Sequence, residues 1–167
     1  PIHAVEDQPE MIKQSADILQ NFPGNRPRGW LGPGRTQTFE TLDHVADAGY
    51  DWFGDWIIDD QPLSVAAGGK TLISLPYSVE LNDITIMVSA QHESDVMLKR
   101  VKDAAERLIV ESSQSMRVMA FGVHPYVSGA AHRIKYFEYM LDHLMRQEGV
   151  VFWQGGEICD WYMDQGE

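Results

Sequence analysis

The chain predicts an α/β fold on parallel strands, and three observations carry that prediction. Segments of near-continuous apolar and β-branched character, such as "KTLISLP" (70–76) and "RVMAFGVHP" (117–125), alternate with amphipathic segments of helical period. Glycine or proline marks most of the boundaries between them. Strand, helix and strand then recur in order, the pattern of a sheet covered on both faces by helices. About four or five strand–helix units fit into 167 residues, whereas a complete β/α barrel takes roughly 250. The chain is therefore a small open sheet or part of a barrel.

Each element has its own warrant. Asp7 followed by Pro9 and Glu10 starts a helix, with Ile12, Ala16 and Leu19 on one face before Pro23-Gly24 stops it. A second helix runs from Thr36 or Thr38 through Phe39, Leu42, Val45 and Ala46, with Gly49 placed to cap it. "YDWFGDWII" (50–58) follows as a strand, and "KTLISLP" is the next, bounded by Gly68-Gly69 and Pro76. Ser94 opens the clearest helix, with Val101, Ala104, Ala105, Leu108 and Ile109 spaced for burial. "RVMAFGVHP" then returns to a strand, and after Gly129 a helix carries Ile134, Phe137, Leu141 and Leu144 to Gly149. "VVFWQ" (150–154) makes a last strand and "GEICDWYM" (156–163) a last short helix. No internal repeat or low-complexity tract interrupts this order.

Bulk properties narrow the classes of partner. Thirteen basic against 25 acidic residues give a net charge of −12, which repels nucleic-acid backbones and anionic membrane surfaces. Nucleic acid and membrane are both excluded as expected partners. A single cysteine, Cys159, makes no internal disulfide, and no apolar run approaches a bilayer span. With no signal-peptide pattern at the N-terminus, a cytoplasmic location is expected. The opening Pro1, without a methionine, suggests a trimmed chain whose natural start lies upstream.

His124 draws attention first. Proline forbids helical geometry to the residue before it and removes a ladder donor, so Pro125 stops the strand with His124 extended at its tip. Strand tips are where α/β proteins keep their chemistry, although a histidine bonded to a neighbouring carbonyl would look the same in sequence. Asp55 interrupts an apolar run at "GDW", where a buried carboxylate must be hydrogen-bonded or paired, so a structural and a site role stand side by side. Trp30, Trp52, Trp56 and Trp153 cluster at predicted strand ends; they suit a core, and equally an aromatic-walled small-molecule pocket. Other signals read as plain structure. "AGGKT" (67–71) lacks the earlier glycine of a phosphate loop and is a glycine turn between strands. His92-Glu93 lacks a second histidine four residues on, and Asp59-Asp60 has turn chemistry. No Gly-x-Ser-x-Gly elbow is present, and Cys159 lies far from any strand tip, so a nucleophilic Ser or Cys finds no support.

Three stretches carry a family resemblance. "RPRGWLGPGRTQTFETLDHVADAGYDWFGDWIIDDQP" (26–62), "LPYSVELND" (75–83) and "FGVHPYVSGAAHRIKYFEYMLDHLMRQEGVVFWQGGEI" (121–158) together resemble the later half of the polysaccharide deacetylase (NodB-homology) family. Within it they are most similar to the allantoinase-like and cyclic-imide-hydrolase-like branch. The resemblance implies that residues 1–167 form a single domain, the C-terminal portion of a distorted, TIM-like β/α barrel whose N-terminal portion is missing. It also implies an enzyme that hydrolyses carbon–nitrogen amide bonds. The histidine of the family's late motif falls on His124, which would act as general acid toward the departing nitrogen. In many relatives an arginine after the "GW" aromatic orients the catalytic carboxylate; that position falls near the apolar Leu31, leaving Arg28 as the substitute. Arg28, Trp30, Asp55, Trp56 and Trp153 would bind substrate. The early aspartate pair and the metal-binding histidines would precede Pro1, so the metal site has no assigned ligand in this chain. His3 is a remnant near that site or a surface histidine. A divalent metal such as zinc would take its ligands mostly from outside the chain, and some members of the branch work without one.

Two functions follow from these readings. One is a hydrolase acting on a small cyclic amide or imide, or on an N-acetylated sugar. The other is a non-catalytic half-barrel that associates with another chain or with itself to cover open sheet edges. Homo-oligomerisation, or pairing with the missing half, is expected in either case.

Overall fold

The computed structural model describes residues 2–22 and 24–166. They divide into two compact units, one comprising the residues up to Trp56, Pro62–Leu75 and Trp153 onward, the other Ile57–Gln61 and Pro76–Phe152.

The first unit opens with a 3-10 turn, Ile2–Ala4, and helix α1, Gln8–Asn21. As the sequence predicts, the Asp7 carboxylate accepts a hydrogen bond from the Glu10 N–H, and Pro9 lies in the first turn, where its missing donor costs nothing. Ile12 and Ala16 are buried, but Leu19 on the expected apolar face is half exposed. Pro23, expected to stop this helix, lies outside the described residues. Helix α2, Thr41–Asp47, begins later than predicted, so Phe39 falls before it and is fully exposed.

The sheet has four strands: β1 (Gly29–Trp30), β2 (Trp52–Phe53), β3 (Leu63–Ala67) and β4 (Lys70–Ser74), in the order β1-β2-β4-β3. β1, β2 and β4 run parallel, with Gly29 opposite Trp52 and Trp52 opposite Ile73. β3 is antiparallel to β4 and corrects the all-parallel expectation. "LSVAA" alternates half-buried and exposed positions, the mark of an edge strand, and it reaches β4 through the tight Gly68-Gly69 turn. "AGGKT" is thus the hairpin it was read to be. β2 is shorter than "YDWFGDWII": the strand ends at Phe53, and the Gly54 N–H makes the last bond to β1, to the Trp30 carbonyl at 3.0 Å. Alternation of side chains explains the two cores of this unit. Phe53 and Leu72 point toward α1 and α2, among Ile12, Val45 and Ala46, while Trp52 and Ile73 point toward Cys159 and Ile158. The latter two lie on the last helix, α6 (Gly155–Asp164).

The second unit contains a π-helical turn, Ile84–Ser89, and helices α3 (Asp95–Glu111), α4 (Pro125–Ser128) and α5 (Ile134–Met145). α3 and α5 follow the predicted periodicity. Met97, Val101 and Ala105 of α3 pack with Met140 and Leu144 of α5 in one apolar core. "RVMAFGVHP" does not form the predicted strand. Before His124 its backbone bonds other segments through Val118 N–H to the Asp60 carbonyl and through Gly122 to the Leu81–Asp83 backbone, with a single parallel bridge between Asn82 and Gly122. A strand needs a continuous ladder, and among the described residues this segment has no partner long enough to supply one.

"VVFWQ" is also not a strand; Val151, Phe152 and Trp153 are exposed along an unpaired segment. Helix α6, Gly155–Asp164, belongs to the first unit and starts with a reciprocal cap. Gln154 accepts from the Glu157 backbone while the Glu157 carboxylate accepts from the Gln154 N–H. Among the described residues no helix is long and apolar enough to cross a membrane.

Candidate active site

In the second unit His124 has the extended backbone that Pro125 predicts (φ −118°, ψ 126°), but it ends no strand; Pro125 opens α4 directly after it. Its partner is a residue that the sequence reading quoted but did not assign. Asp83, fully buried, receives the His124 ring Nδ1 at 2.6 Å on Oδ1 and the His124 backbone N–H at 2.7 Å on Oδ2. The Ser128 hydroxyl donates to the same Oδ2 at 2.6 Å. Three donors from one five-residue stretch, "HPYVS", therefore converge on a single carboxylate.

That convergence decides the charge of Asp83. Burial works to raise its pKa, but the bonds from Ser128 and from the His124 backbone and ring outweigh burial and hold the carboxyl below its ordinary value. An ionised carboxylate is acceptor-only, so the His124 nitrogen facing it carries the proton. The Nε2 edge of the ring, whose side chain is about one-third exposed, is left to work on a ligand. Tyr126, largely exposed, tilts against the ring with centroids 5.6 Å apart.

Asn82 fixes the neighbouring backbone. Its Oδ1 accepts from Ile84 and Thr85, capping the π-helical turn, and its Nδ2 donates to the Tyr77 hydroxyl at 2.8 Å. Asp83 is thereby held at the base of a capped turn.

The remaining predicted site residues lie in the first unit. Asp55, two residues beyond β2, is almost fully buried. It accepts from the Gly32 N–H at 2.7 Å and from Gln37 Nε2 at 2.9 Å. Burial raises its pKa, and the Gln37 amide, the Gly32 N–H and the Arg35 charge only partly oppose that. Gly32 is needed for the approach, because a Cβ there would stand 3.0 Å from Asp55 Oδ2 and 3.3 Å from Trp30 Nε1. Gln37 passes the network on: its Oε1 accepts from Trp56 Nε1 at 2.9 Å. Trp56 stacks edge-on to Phe53 and, with Gln37, Thr38, Phe39 and Leu42, lines an open cleft of about 330 Å³. Asp55 and Trp56 thus come together through Gln37, a residue the sequence reading left aside.

Trp30 belongs to the core. It is buried, edge-on to Tyr50 at 5.5 Å, with its indole N–H turned toward the Asp55 carboxyl. Trp153 lies on the exposed segment before α6. Arg28 precedes β1, at the strand's start rather than its tip, and its guanidinium is shared between Asp51 and a two-pronged bond to Asp160 of α6. Those two carboxylates hold it firmly in the charged state. A cation so placed ties α6 to the sheet at the end where conservation of structure, not chemistry, is the usual role. Cys159 beside it is buried, and burial pushes its thiol up to about 11, which leaves it inert. His92 and Glu93 are exposed loop residues, Asp59 accepts from the Asp60 N–H in a turn, and His3 is exposed.

Among the described residues no three His, Cys, Asp or Glu side chains converge as a metal site requires.

No family model matches the chain. By sequence, a Schizosaccharomyces pombe protein named "Putative polysaccharide deacetylase" is 27% identical over 165 residues, 87% of this chain and 51% of that protein. The solved structure of Puue allantoinase superposes with a TM-score of 0.85 at 22% identity, covering 93% of this chain and 52% of its own. A probable polysaccharide deacetylase from Pseudomonas aeruginosa PAO1 gives 0.85 at 20% identity, covering 96% and 55%. The chain spans about half the length of the proteins it matches. It resembles polysaccharide deacetylases in sequence, and over about half of their length it shares with them and with allantoinase the fold its own residues predict, part of a distorted β/α barrel.

Proposed function

We propose that the chain carries the proton-donating part of a hydrolase that cuts non-peptide carbon–nitrogen amide bonds, in a small cyclic amide or imide or in an N-acetylated sugar. The observation that supports it most is the bond of buried Asp83 to His124, which leaves the far edge of a partly exposed imidazole free at the end of an extended segment.

Amide hydrolysis needs a proton on the leaving nitrogen, because an expelled amide anion is far too basic to depart. When water adds to the carbonyl carbon, the C–N bond of the tetrahedral intermediate breaks as His124 Nε2 gives its proton to that nitrogen. Asp83 holds the ring in place and stabilises the imidazolium before transfer, the orienting role a carboxylate plays behind a catalytic histidine. In the first unit taken by itself, Trp56 offers an aromatic face to its open cleft, with the buried Asp55 behind Gln37. Arg28, engaged by two carboxylates, has the weaker claim to substrate. The water-activating carboxylate, and the ligands of a divalent metal such as zinc, are assigned by the resemblance to residues preceding Pro1.

Among the described residues β1 pairs with β2 alone, which supports the expectation that a further segment, or a second copy, completes the sheet. One buried thiol and no disulfide fit a cytoplasmic setting. The test is an assay of the complete natural polypeptide on two panels, cyclic amides and imides, and N-acetylated sugars. Ring-opened acid or released acetate is the expected product. A folded polypeptide that turns over neither panel overturns the reading.

A further inference from the structure

Ser128 has an unusual position for a helical serine. Such a hydroxyl normally bonds the carbonyl four residues earlier. Here the His124 carbonyl takes only the ordinary backbone bond from the Ser128 N–H, at 3.0 Å, and the hydroxyl reaches Asp83 Oδ2, 45 residues away in sequence. The reach depends on a tight α4. Val127 beside it is buried, and at Gly129 a Cβ would fall 2.3 Å from the Pro125 carbonyl oxygen, so only glycine lets the turn close over Asp83.

We propose that Ser128 is a positioning residue for His124, acting through Asp83. The inference rests on the hydrolase reading for its consequence in turnover, and on geometry alone for the clamp itself. Oδ1 of Asp83 takes the ring and Oδ2 takes the His124 backbone. A carboxylate fixed by those two bonds can still pivot, because both come from one residue. The Ser128 hydroxyl, arriving from the other end of the α4 turn, fixes the carboxylate plane and with it the direction in which the ring points. A neutral donor does this without adding charge to a buried site.

The test uses Ser128→Ala, Ser128→Cys and Ser128→Thr, the last keeping the hydroxyl. The first readout is imidazole NMR of this chain, following the His124 Nδ1 proton. In the wild type and in Ser128→Thr that proton should be far downfield and slow to exchange with water. In Ser128→Ala it should move upfield and exchange about tenfold faster, the worth of one hydrogen bond to a charged group. Ser128→Cys, a weaker donor of similar size, should fall between and serves if the alanine variant fails to fold. An Nδ1 proton unchanged in a folded Ala or Cys variant overturns the clamp. The second readout is turnover by the complete polypeptide: kcat should fall about tenfold in Ser128→Ala with KM unchanged. The two readings fail separately. A proton that moves in a polypeptide without activity leaves the clamp and removes the hydrolase; normal kcat with an unmoved proton removes the clamp and leaves the hydrolase.

Discussion

Asp83 and Asp55 are both buried aspartates, one in each unit, and they titrate in opposite directions. Asp83 is the more buried, yet its carboxyl is held below the ordinary value, whereas Asp55 is pushed above it. Burial alone therefore does not set the charge of a carboxylate. Asp83 collects three donors, one of them an imidazole able to carry positive charge. Asp55 collects two neutral donors, with the Arg35 charge contributing less than either. The first is arranged as a permanent anion behind a histidine, and the second as a carboxyl whose ionisation is costly.

The largest expected effect tests the first half of that contrast. Asp83→Ala leaves an imidazole, a backbone N–H and a hydroxyl without their acceptor in a buried site, and should cost about 3–5 kcal/mol in denaturant unfolding. A loss under about 1 kcal/mol would mean that water replaces the carboxylate and that the site is open. Gln37→Ala should come next. It removes a donor from Asp55 and an acceptor from Trp56, for a loss of about 1–3 kcal/mol and a changed Trp56 emission.

The pH dependence sharpens the comparison because the two signs differ. Asp83, with a lowered folded pKa, contributes stability that is present above the unfolded carboxylate pKa and lost as pH falls through the folded value. Asp55, with a raised folded pKa, contributes stability that is present below the unfolded value and lost as pH rises through the folded one. Unfolding measured across the acid range should therefore lose its acid limb in Asp83→Asn. In Asp55→Asn it should lose the decline that sets in as pH rises past the ordinary carboxylate range. Equal responses in the two variants would erase the distinction. The smallest effect is expected for Arg28→Gln, whose ion pairs are half exposed; its destabilisation should fade as salt is added.

Much of this was legible in the chain because its cause is local. The periodicity of Val101 and Ala105, the Asp7 cap and the proline after His124 each act within a few residues, and α3, α1 and the extended His124 follow from them. Features set by distant partners were not. Asp83 follows the mostly polar "ELN" and is invisible as a site until the chain brings His124 to it across 41 residues. A carboxylate at the head of the apolar run "ITIMV" (84–88) is the signal that could have found it, since once buried it must be met by donors. β1 is two residues long and exists because β2 lies beside it. Residues 117–124 have the composition of a strand and lack a ladder to join. The family resemblance makes Arg28 a site residue, while its guanidinium is set by Asp51 and by Asp160 at the far end of the chain.

The central claim, that His124 is a general acid oriented by Asp83, is tested most directly by leaving-group dependence. Turnover of a cyclic imide and of the cyclic amide of the same ring is compared for the complete polypeptide and its His124→Ala variant. Removing a general acid should lower turnover of the amide by about a hundredfold or more and that of the imide, whose nitrogen leaves more readily, by clearly less. Loss of one donor to Asp83 should cost the variant only about 1–3 kcal/mol of stability, so it remains folded for the assay. Equal losses on the two substrates, or none on either, would show that His124 holds the structure together and donates no proton.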